Sequence, residues 1–413
     1  MATTNNFVNT SWVSMEILRL LLNKLTVTEY FNRSWEKDFE REFAQGSTVT
    51  IKFPQRMLTT DGMGYQPQGI NRIATTVSLD QWIQCSFEWD DYEQAVKLER
   101  SEAELRENYL DPAGAALAQE YDSRAAKFAY MNASNVVGVL GTDPTTVGTY
   151  YGARQVLFEQ ACPPGKRAML ISSSMMTSIG TGITNIFQPP DEISQMFKEG
   201  SIGRLAGFDF YESQSLYSHT AGTWAAAVTM AGAGQTGSSI LVNATAGDVF
   251  NAGDKFSIAG VNNVNPMTRR ISGKARLKTF TCTSRVVCAG GGTDVIPILP
   301  AIYGPGSQYQ NVDALNNNTA PLTLWPNTAS PNGKVGTVGI GVSRWAFALV
   351  AGKLYLPKAT EASGQQTDPD SGISVRKVKM WDPQRSMLVN RMDSLCGFGN
   401  LYQDNGACCV AGA

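Results

Sequence analysis

Three groups of residues have types and spacings that could support chemistry, and the first is a glycine-rich run. Residues 232–239 read GAGQTGSS and imitate the phosphate-binding loop G-x-x-x-x-G-K-[ST], but Ser238 occupies the lysine position. A β-like run follows, where a phosphate site needs the N-terminus of a helix. The run therefore predicts a flexible turn and not a nucleotide site.

The second group consists of the only histidine and a vicinal cysteine pair. His219 has no cysteine pair at zinc-ligand spacing, and the sequence has no G-x-S-x-G nucleophile elbow that it could serve as a base. Cys408 and Cys409 favour burial as small apolar side chains over redox chemistry. We interpret all three as structural residues.

Carboxylates form the third group. Asp368, Asp370 and Gly372 suggest a calcium loop, but Gly372 stands where the third oxygen ligand is needed, which favours a surface turn. Asp90 and Asp91 are adjacent, so their side chains do not converge on one substrate. The acidic residues between positions 90 and 107 are interpreted as a solvated face. The sequence therefore predicts a protein that is not an enzyme, with no catalytic residue, cofactor or metal site.

Charge and cysteine usage restrict the partners and the compartment. The formal net charge is -2, so no overall positive field attracts nucleic acid, and sequence-specific binding of DNA or RNA is not expected. Seven cysteines without a C-x-x-C pair do not form a disulfide framework and favour a reducing cytoplasm. A basic cluster in the β-like region favours a solvated loop or an inter-subunit contact, because no aromatic platform is interleaved with it. It comprises Arg269, Arg270, Lys274, Arg276 and Lys278.

No segment has the pattern of a leader or of a membrane span. The apolar segment 13–25 is interrupted by Glu16, Arg19 and Lys24 and lacks a cleavage site, so it is not a signal peptide. No uninterrupted apolar run approaches the ~18 residues that a membrane span needs. We expect a protein with no membrane partner, soluble unless it assembles.

The first ninety residues predict helices followed by a β-ribbon. Apolar residues at helical spacing predict an amphipathic helix over 13–25, and a second amphipathic helix is predicted over 30–43. Alternation predicts a strand over 49–53, a glycine- and proline-rich tip follows at 62–69, and a long strand runs over 77–89. One face of that strand is apolar, and either its own domain or another subunit must cover it. The residues of this face are Val77, Leu79, Ile83, Cys85, Phe87 and Trp89.

The remaining sequence predicts a long helix, short mixed elements and a β-rich module. Asp111 and Pro112 mark a helix start, and about 25 residues of helical pattern run on to Gly138. Further helices are predicted at 152–160 and 191–199, with strands at 168–172 and 373–380. Residues 222–332 are rich in Gly, Asn, Thr and Ser, which predicts a small all-β module. Its strand-like runs are 240–242, 255–258, 278–283 and 295–299.

Two motifs resemble those of a known family. Residues 199–209, EGSIGRLAGFD, are similar to the segment after the second helix of tailed-phage major capsid proteins of the HK-97 fold, and Ala206–Asp209 resembles the coat proteins of P-22-like phages. Residues 253–261, GDKFSIAGV, are similar to a strand of the barrel domain inserted in that family. Both motifs, in this order, agree with the predicted elements over most of the chain.

The resemblance implies an α+β, HK-97-like capsid fold with an inserted all-β domain. It implies a helical N-terminal arm at 1–45, an extended β-hairpin loop at 46–89, and a peripheral domain with the spine helix, continuing into the axial domain, at 90–210. The inserted domain spans 222–332, and 336–413 complete the axial domain and return to the peripheral one. The polar hairpin that can bridge rings in this family is short here, at 232–237, so the tip at 61–69 is expected to take over this role.

The resemblance also implies the partners. The chain is expected to form pentamers and hexamers of an icosahedral virion shell around double-stranded DNA, bound without sequence specificity. A scaffolding protein and a portal are expected, with assembly in the cytoplasm of the bacterial host. Tail or adhesin proteins and cellular nanocompartment shells are the alternatives. The residues expected to contact neighbouring subunits are Asp61, Tyr65, Val77, Leu79, Ile83, Phe87 and Trp89.

Overall fold

A computed structural model describes most of the chain. The residues it describes are 10–33, 48–52, 57, 62–64, 67, 69, 74–90, 111–163, 165–183, 202–224, 227–271, 273–291, 294–325, 333–357, 362–368, 372–401 and 406–413. The helices within them are α1 (Thr10–Lys24), α2 (Asp111–Asn132), α3 (Val147–Glu159) and α4 (Ser173–Ile183), with a 3-10 turn at Thr28–Tyr30.

The strands of the described residues are short in the middle of the chain and longest toward its end. They are β1 (Thr48–Lys52), β2 (Ala74–Ser78), β3 (Gln81–Asp90), β4 (Asn135–Val137), β5 (Arg167–Ile171), β6 (Arg204–Leu205), β7 (Phe208–Glu212), β8 (Ser218–Thr220), β9 (Thr229–Met230), β10 (Gly237–Asn243), β11 (Val249–Phe250), β12 (Lys255–Asn262), β13 (Leu277–Cys282), β14 (Val286–Val287), β15 (Asp294–Ile302), β16 (Leu322–Leu324), β17 (Val335–Ser343), β18 (Phe347–Gly352), β19 (Ala362–Thr367), β20 (Ser374–Asp382), β21 (Met387–Asn400) and β22 (Ala407–Ala411).

The chain divides into two compact units. Unit 1 comprises Met1–Ile51, Ala74–Ala125 and Phe347–Gly399. Unit 2 comprises Lys52–Ile73, Ala126–Ala346 and Asn400–Ala413. Each unit is therefore assembled from segments that lie far apart in the sequence.

Unit 1 is a β-sheet with helices packed on it. The sheet has the strand order β18-β21-β20-β19, and β3 also pairs with β21. Helix α1 contacts β19 and β20, and its apolar residues Ile17 and Leu21 are fully buried, as the helical spacing predicted. On α2, Leu117 and Tyr121 are also buried. The apolar faces of both helices therefore contribute to the core of this unit.

The predicted single strand over 77–89 is wrong, because it is two strands with different partners. β2 pairs with β1, whereas β3 pairs with β21 from Asp90 opposite Met387 to Gln81 opposite Cys396. Leu79 and Asp80 separate them. The expected ribbon of the 49–53 strand and one long strand over 77–89 is replaced by a pair of five-residue strands, β1 and β2, because β21 supplies a separate, longer partner for β3 from a distant part of the sequence.

The predicted end of the long helix at Gly138 is also wrong. Helix α2 ends at Asn132, and Val136 lies in β4, which pairs in parallel with β22. Gly138 does adopt a positive φ of 85°, but it follows a strand instead of a helix. The helical pattern is local, whereas the pairing with β22 depends on residues 273 positions away and overrides it.

Unit 2 contains two larger sheets. The first is mixed, with the order β4-β22-β17-β5-β7-β6, and β8 pairs with β17 at its side. Helices α3 and α4 bury apolar residues against it, including Tyr150, Leu157 and Met175. Helix α4 was not predicted, because its two glycines and many Ser and Thr residues disfavour a helix. The burial of Met175 and Ile179 in the tertiary structure stabilises it.

The second sheet of unit 2 is the predicted β-rich module. Its order is β16-β12-β13-β15-β10-β9, and its paired strands are antiparallel. The four predicted strand-like runs are recovered in β10, β12, β13 and β15. The predicted helices over 30–43 and 191–199 and the acidic face at 90–107 lie largely or wholly outside the described residues.

Candidate functional site

A buried polar cluster lies where the 253–261 motif begins. Asp254 is only 1% exposed. Its carboxylate accepts hydrogen bonds from Nε2 of His219 at 2.8 Å, from the backbone N–H of Gly222 at 3.1 Å and from that of Asn251 at 2.7 Å. Because a carboxylate only accepts, Nε2 of His219 is the donor. A single side chain thus joins β8, the chain that follows it, and the turn before β12.

Lys255 satisfies backbone groups at the C-terminal end of α2. Its Nζ donates to the carbonyl oxygen of Tyr130 at 2.9 Å, to that of Ala133, and to Oγ1 of Thr281 at 3.1 Å. The ammonium also lies 4.5 Å from the centroid of the Tyr130 ring. The last carbonyls of a helix have no partner within it, and the negative end of the helix dipole attracts a cation. The hydrogen bonds of Lys255 therefore hold the start of β12 against the C-terminal end of α2.

The cluster has the residue types of an active site but not its accessibility. Burial lowers the pKa of Lys255 and raises the pKa of Tyr130. His219, Asp254 and Lys255 are each at most 2% exposed, so no substrate reaches them. We therefore assign the cluster a structural role, which agrees with the prediction made for His219.

Gly253 allows β12 to approach α2 closely. Its φ is +94°, and a Cβ at this position would lie 2.8 Å from Cε1 of Tyr130. Gly260, on the same motif, has a similar φ of +80° but nothing within 4 Å of its Cβ position. Both glycines avoid backbone strain, but only Gly253 also avoids a collision.

We expect Gly253→Ala to destabilise unit 2 more than Gly260→Ala does. Both variants lose about 1–2 kcal/mol to left-handed backbone strain. Gly253→Ala loses about 1–3 kcal/mol more because α2 must move away. Chemical denaturation of both full-length variants measures the difference, and equal unfolding free energies would contradict a close approach to α2.

The core of the other motif is a tight β-hairpin. Strands β6 and β7 pair with Arg204 opposite Asp209 and Leu205 opposite Phe208. The two turn residues, Ala206 and Gly207, have φ values of +51° and +83°. This is the backbone that a two-residue hairpin turn requires. The turn places Phe208, which is fully buried, in the core of unit 2.

The remaining chemical candidates have structural roles in the described residues. The glycine-rich run forms bends followed by β10, as predicted, with positive φ at Gly232 and Gly234. Cys408 and Cys409 are fully buried in β22, and burial raises the pKa of both thiols, which makes them poor nucleophiles. The described residues contain no group of three or more acidic, histidine or cysteine residues that could hold a metal ion.

The seven predicted contact residues divide into three sets. Val77 and Ile83 are 0% and 2% exposed, so unit 1 itself covers them and they present no surface to a neighbour. Leu79 and Phe87 are half-buried. Asp61, Tyr65 and the side chain of Trp89 lie outside the described residues, and their role in assembly stays a prediction.

Two functional features were missed in the sequence. Asp122 on α2 is 2% exposed and accepts four hydrogen bonds, from the backbone and side chain of both Thr26 and Thr28. Trp82 is 48% exposed, and the guanidinium groups of Arg376 and Arg391 each lie 5.7 Å from its ring centroid. The residues that contact Asp122 and Trp82 are 94 to 309 positions away in the sequence, so the contacts themselves leave no local pattern. The one local sign is that Trp82 is an aromatic residue on the otherwise polar face of its strand.

A family model described as "P22 coat protein - gene protein 5" matches residues 1–393. The chain belongs to the P22 coat protein family. It is therefore a phage major capsid protein, a structural subunit of the virion shell and not an enzyme, and it assembles with copies of itself. The helices and mainly antiparallel sheets make its fold an α+β capsid fold.

Solved phage structures are also similar to this coat protein. The Mycobacterium phage Che8 structure is 12% identical, with 94% of this chain and 92% of that chain covered and a TM-score of 0.47. The capsid of cyanophage P-SCSP1u is 12% identical, with 94% and 89% covered and a TM-score of 0.47. The capsid of Ralstonia phage GP4 is 10% identical, with 94% and 90% covered and a TM-score of 0.43.

No curated protein matches the sequence. Among the described helices, none combines the length and the apolar character that crossing a membrane takes.

Proposed function

We propose that this coat protein forms the pentamers and hexamers of an icosahedral shell that encloses packaged double-stranded DNA. The family match over 1–393 carries this proposal. Tail proteins, adhesins and nanocompartment shells have no comparable support. Negative-stain electron microscopy of the purified full-length chain tests it: shells or rings of five and six subunits are expected, and a persistent small monomer at high concentration would overturn it.

The proposed subunit has the HK-97-like layout with an inserted domain. The N-terminal arm is 1–45, the extended loop 46–89, and the peripheral domain begins at 90 and contains α2. The inserted domain is 222–332, which the sheet from β9 to β16 supports, and 336–413 complete the axial and peripheral domains. Phe347–Gly399 belongs to unit 1, together with Ala74–Ala125 from the first part of the chain. This grouping supports a return of the chain to the peripheral domain.

The proposed partners besides sister subunits are a scaffolding protein, a portal and DNA bound without sequence specificity. The formal net charge of -2 supports DNA enclosure without strong binding. All seven cysteines are free, which supports assembly in the reducing cytoplasm of the host. Native mass spectrometry of particles from infected cells is expected to find DNA, and an enzyme cargo would favour a nanocompartment instead.

The solvent-facing side of β3, β20 and β21 supplies the proposed contact surface in unit 1. Trp82 and Met380 lie on this side and are 48% and 52% exposed. Tryptophan and arginine are the residue types that dominate binding energy at protein interfaces. The assembly role expected of the apolar face of β3 is therefore proposed for its opposite face, while the loop tip at 61–69 remains the proposed contact between rings.

We expect Trp82→Ala to abolish shell assembly while the subunit remains folded. The change removes a large interface side chain from every subunit. Its cation–π contacts with Arg376 and Arg391, whose side chains are 12% and 43% exposed, stabilise the fold by only about 1–2 kcal/mol. Sedimentation measures shells, and chemical denaturation measures stability. Gln84→Ala, two residues along the same exposed face, is the matched control and is expected to assemble. A wild-type yield of shells from Trp82→Ala would refute this surface.

A further inference from the structure

The β-rich module, residues 222–332, differs in charge from the rest of the chain. It contains seven lysine and arginine residues but only four aspartates, so its formal net charge is +3 and the rest of the chain carries -5. All of these charged residues of the module lie within the part of the chain that the structure describes. The net charge of -2 for the whole chain therefore conceals a separation of opposite charges along the sequence.

The four aspartates of the module are used inside it. Asp248, Asp254 and Asp294 are each at most 8% exposed, and each accepts hydrogen bonds from backbone N–H groups. Asp313 is half-buried and accepts from the backbone N–H and the side-chain amide of Asn262 at 2.7 and 2.9 Å. None of the four carboxylates is exposed, so the charge on the surface of the module is positive.

This positive charge is concentrated in the loop between β12 and β13, residues 263–276, which we call the basic loop. Its four cations are exposed or partly exposed, and they are Arg269, Arg270, Lys274 and Arg276. Two apolar side chains stand among them, because Met267 is 73% and Ile271 is 38% exposed. Methionine and arginine are both enriched at protein interfaces. The basic loop therefore has the composition of a contact surface for another protein.

Hydrogen bonds fix the conformation of the basic loop. Oδ1 of Asn265 accepts from the backbone N–H of Met267 at 2.9 Å, and Nδ2 donates to the carbonyl oxygen of Glu159 at 3.0 Å. The guanidinium group of Arg269 donates to the carbonyl oxygen of Gln308 at 2.5 Å. Because the subunit makes these bonds by itself, a partner that binds the loop loses little affinity to the ordering of this segment.

A second copy of the chain offers a surface of complementary charge. The sequence of residues 90–107 contains seven carboxylates and three cations, a net charge of -4, which is most of the negative charge outside the module. It also contains apolar residues, among them Val96 and Leu98. The coat protein assembles with copies of itself, so this segment is present on every neighbour. Opposite charges across an interface steer the encounter and fix its register.

Nucleic acid matches the basic loop less well. Residues 263–276 contain no aromatic side chain on which a base could stack. A phosphate backbone offers the four cations a partner, but it offers none to the exposed side chains of Met267 and Ile271. The mixed apolar and cationic surface therefore favours a protein partner.

We propose that the basic loop of one subunit docks on the acidic segment 90–107 of a second copy of the chain. The cations of the loop face the carboxylates of the neighbour, and Met267 and Ile271 pack on its apolar side chains. The contact rests on the self-assembly of the coat protein, but not on the size of its rings or on the DNA that the shell encloses.

Zero-length crosslinking tests the contact in the wild-type protein. Equal amounts of unlabelled and nitrogen-15-labelled full-length subunits are mixed, assembled and treated with a carbodiimide, which joins a lysine amine to a carboxylate in direct contact with it. Mass spectrometry is expected to find Lys274 joined to a carboxylate of residues 90–107 in peptides that combine one light and one heavy partner. Links of Lys274 within one isotope only, to other carboxylates only, or to none would each overturn the proposal.

Charge reversal tests whether the contact drives assembly. The double variant Arg270→Glu, Lys274→Glu is expected to lower the yield of shells about tenfold or more, because attraction across the interface becomes repulsion. Arg285→Glu, an exposed position of the same module outside the basic loop, is the matched control and is expected to assemble. Chemical denaturation is expected to give both variants the unfolding free energy of the wild type, because the replaced side chains are exposed.

The outcomes separate this contact from the shell itself. A wild-type chain that forms no particles would overturn the proposed shell together with the contact. Wild-type particles alongside a normal yield from the double variant would overturn the contact alone. A normal yield of shells that retain less double-stranded DNA would overturn it in favour of nucleic acid as the partner of the basic loop.

Discussion

Replacing Asp254 by alanine is expected to destabilise unit 2 by about 3–5 kcal/mol, because it leaves three buried donors unpaired. The donors are Nε2 of His219 and the backbone N–H groups of Gly222 and Asn251. Asp254→Asn retains the shape but replaces an acceptor by a donor, so about half of this loss is expected. Chemical denaturation of the unassembled full-length chain measures both values.

Asp209→Ala is the control for Asp254. Asp209 pairs with Arg204 at 3.6 Å, and both side chains are partly exposed. A pair of this kind contributes ~1 kcal/mol at most. If the two alanine variants had the same unfolding free energy, the buried cluster would not hold β8 and β12 together as its geometry indicates.

Replacing Asp122 by alanine is expected to cost unit 1 about 3–5 kcal/mol and to release the segment that follows α1. The carboxylate accepts from the N–H and hydroxyl groups of Thr26 and Thr28 at 2.7 to 3.0 Å. Without it, the buried backbone N–H of Thr28 and the half-buried N–H of Thr26 lose this acceptor. Amide hydrogen exchange is expected to accelerate at residues 26–28 before it does so in β20 and β21.

Glu120 provides the control for Asp122 on the same helix. It pairs with Arg124 at 2.6 Å, and its side chain is 47% exposed. An exposed pair of residues four apart contributes about 0.3–0.5 kcal/mol, so Glu120→Ala is expected to be nearly neutral. Unchanged exchange at residues 26–28 in Asp122→Ala would mean that other contacts hold this segment.

These two carboxylates have related consequences for the shell subunit. Asp122 ties residues 26–28 to α2 within unit 1. Within unit 2, Asp254 ties the turn before β12 to β8, which pairs with the mixed sheet, and Lys255 ties β12 to the end of α2. Buried networks of this type lose much of their stabilisation when one member is removed. Damage to either is therefore expected to lower the yield of assembly-competent subunits even where no contact surface is altered.

Local patterns predicted a substantial part of the fold. The spacing of Ile17 and Leu21 identified α1, and the runs in the β-rich region identified β10, β12, β13 and β15, because helix and strand periodicity is recorded in neighbouring residues. Of the candidate site, the 253–261 motif was found by resemblance, but the hydrogen bonds of Asp254 and Lys255 were not. Their partners lie outside the motif and become neighbours only after folding.

By itself the sequence determined the protein class, the absence of recognisable catalytic motifs, and the strands of the β-rich sheet, since composition and short-range alternation express these directly. Only the tertiary structure decided that β21 pairs with β3, that α2 ends before β4, and that Val77 and Ile83 are covered within unit 1. Each of these outcomes depends on a pairing between segments hundreds of residues apart, and the free energy of such a contact is not encoded in either segment alone.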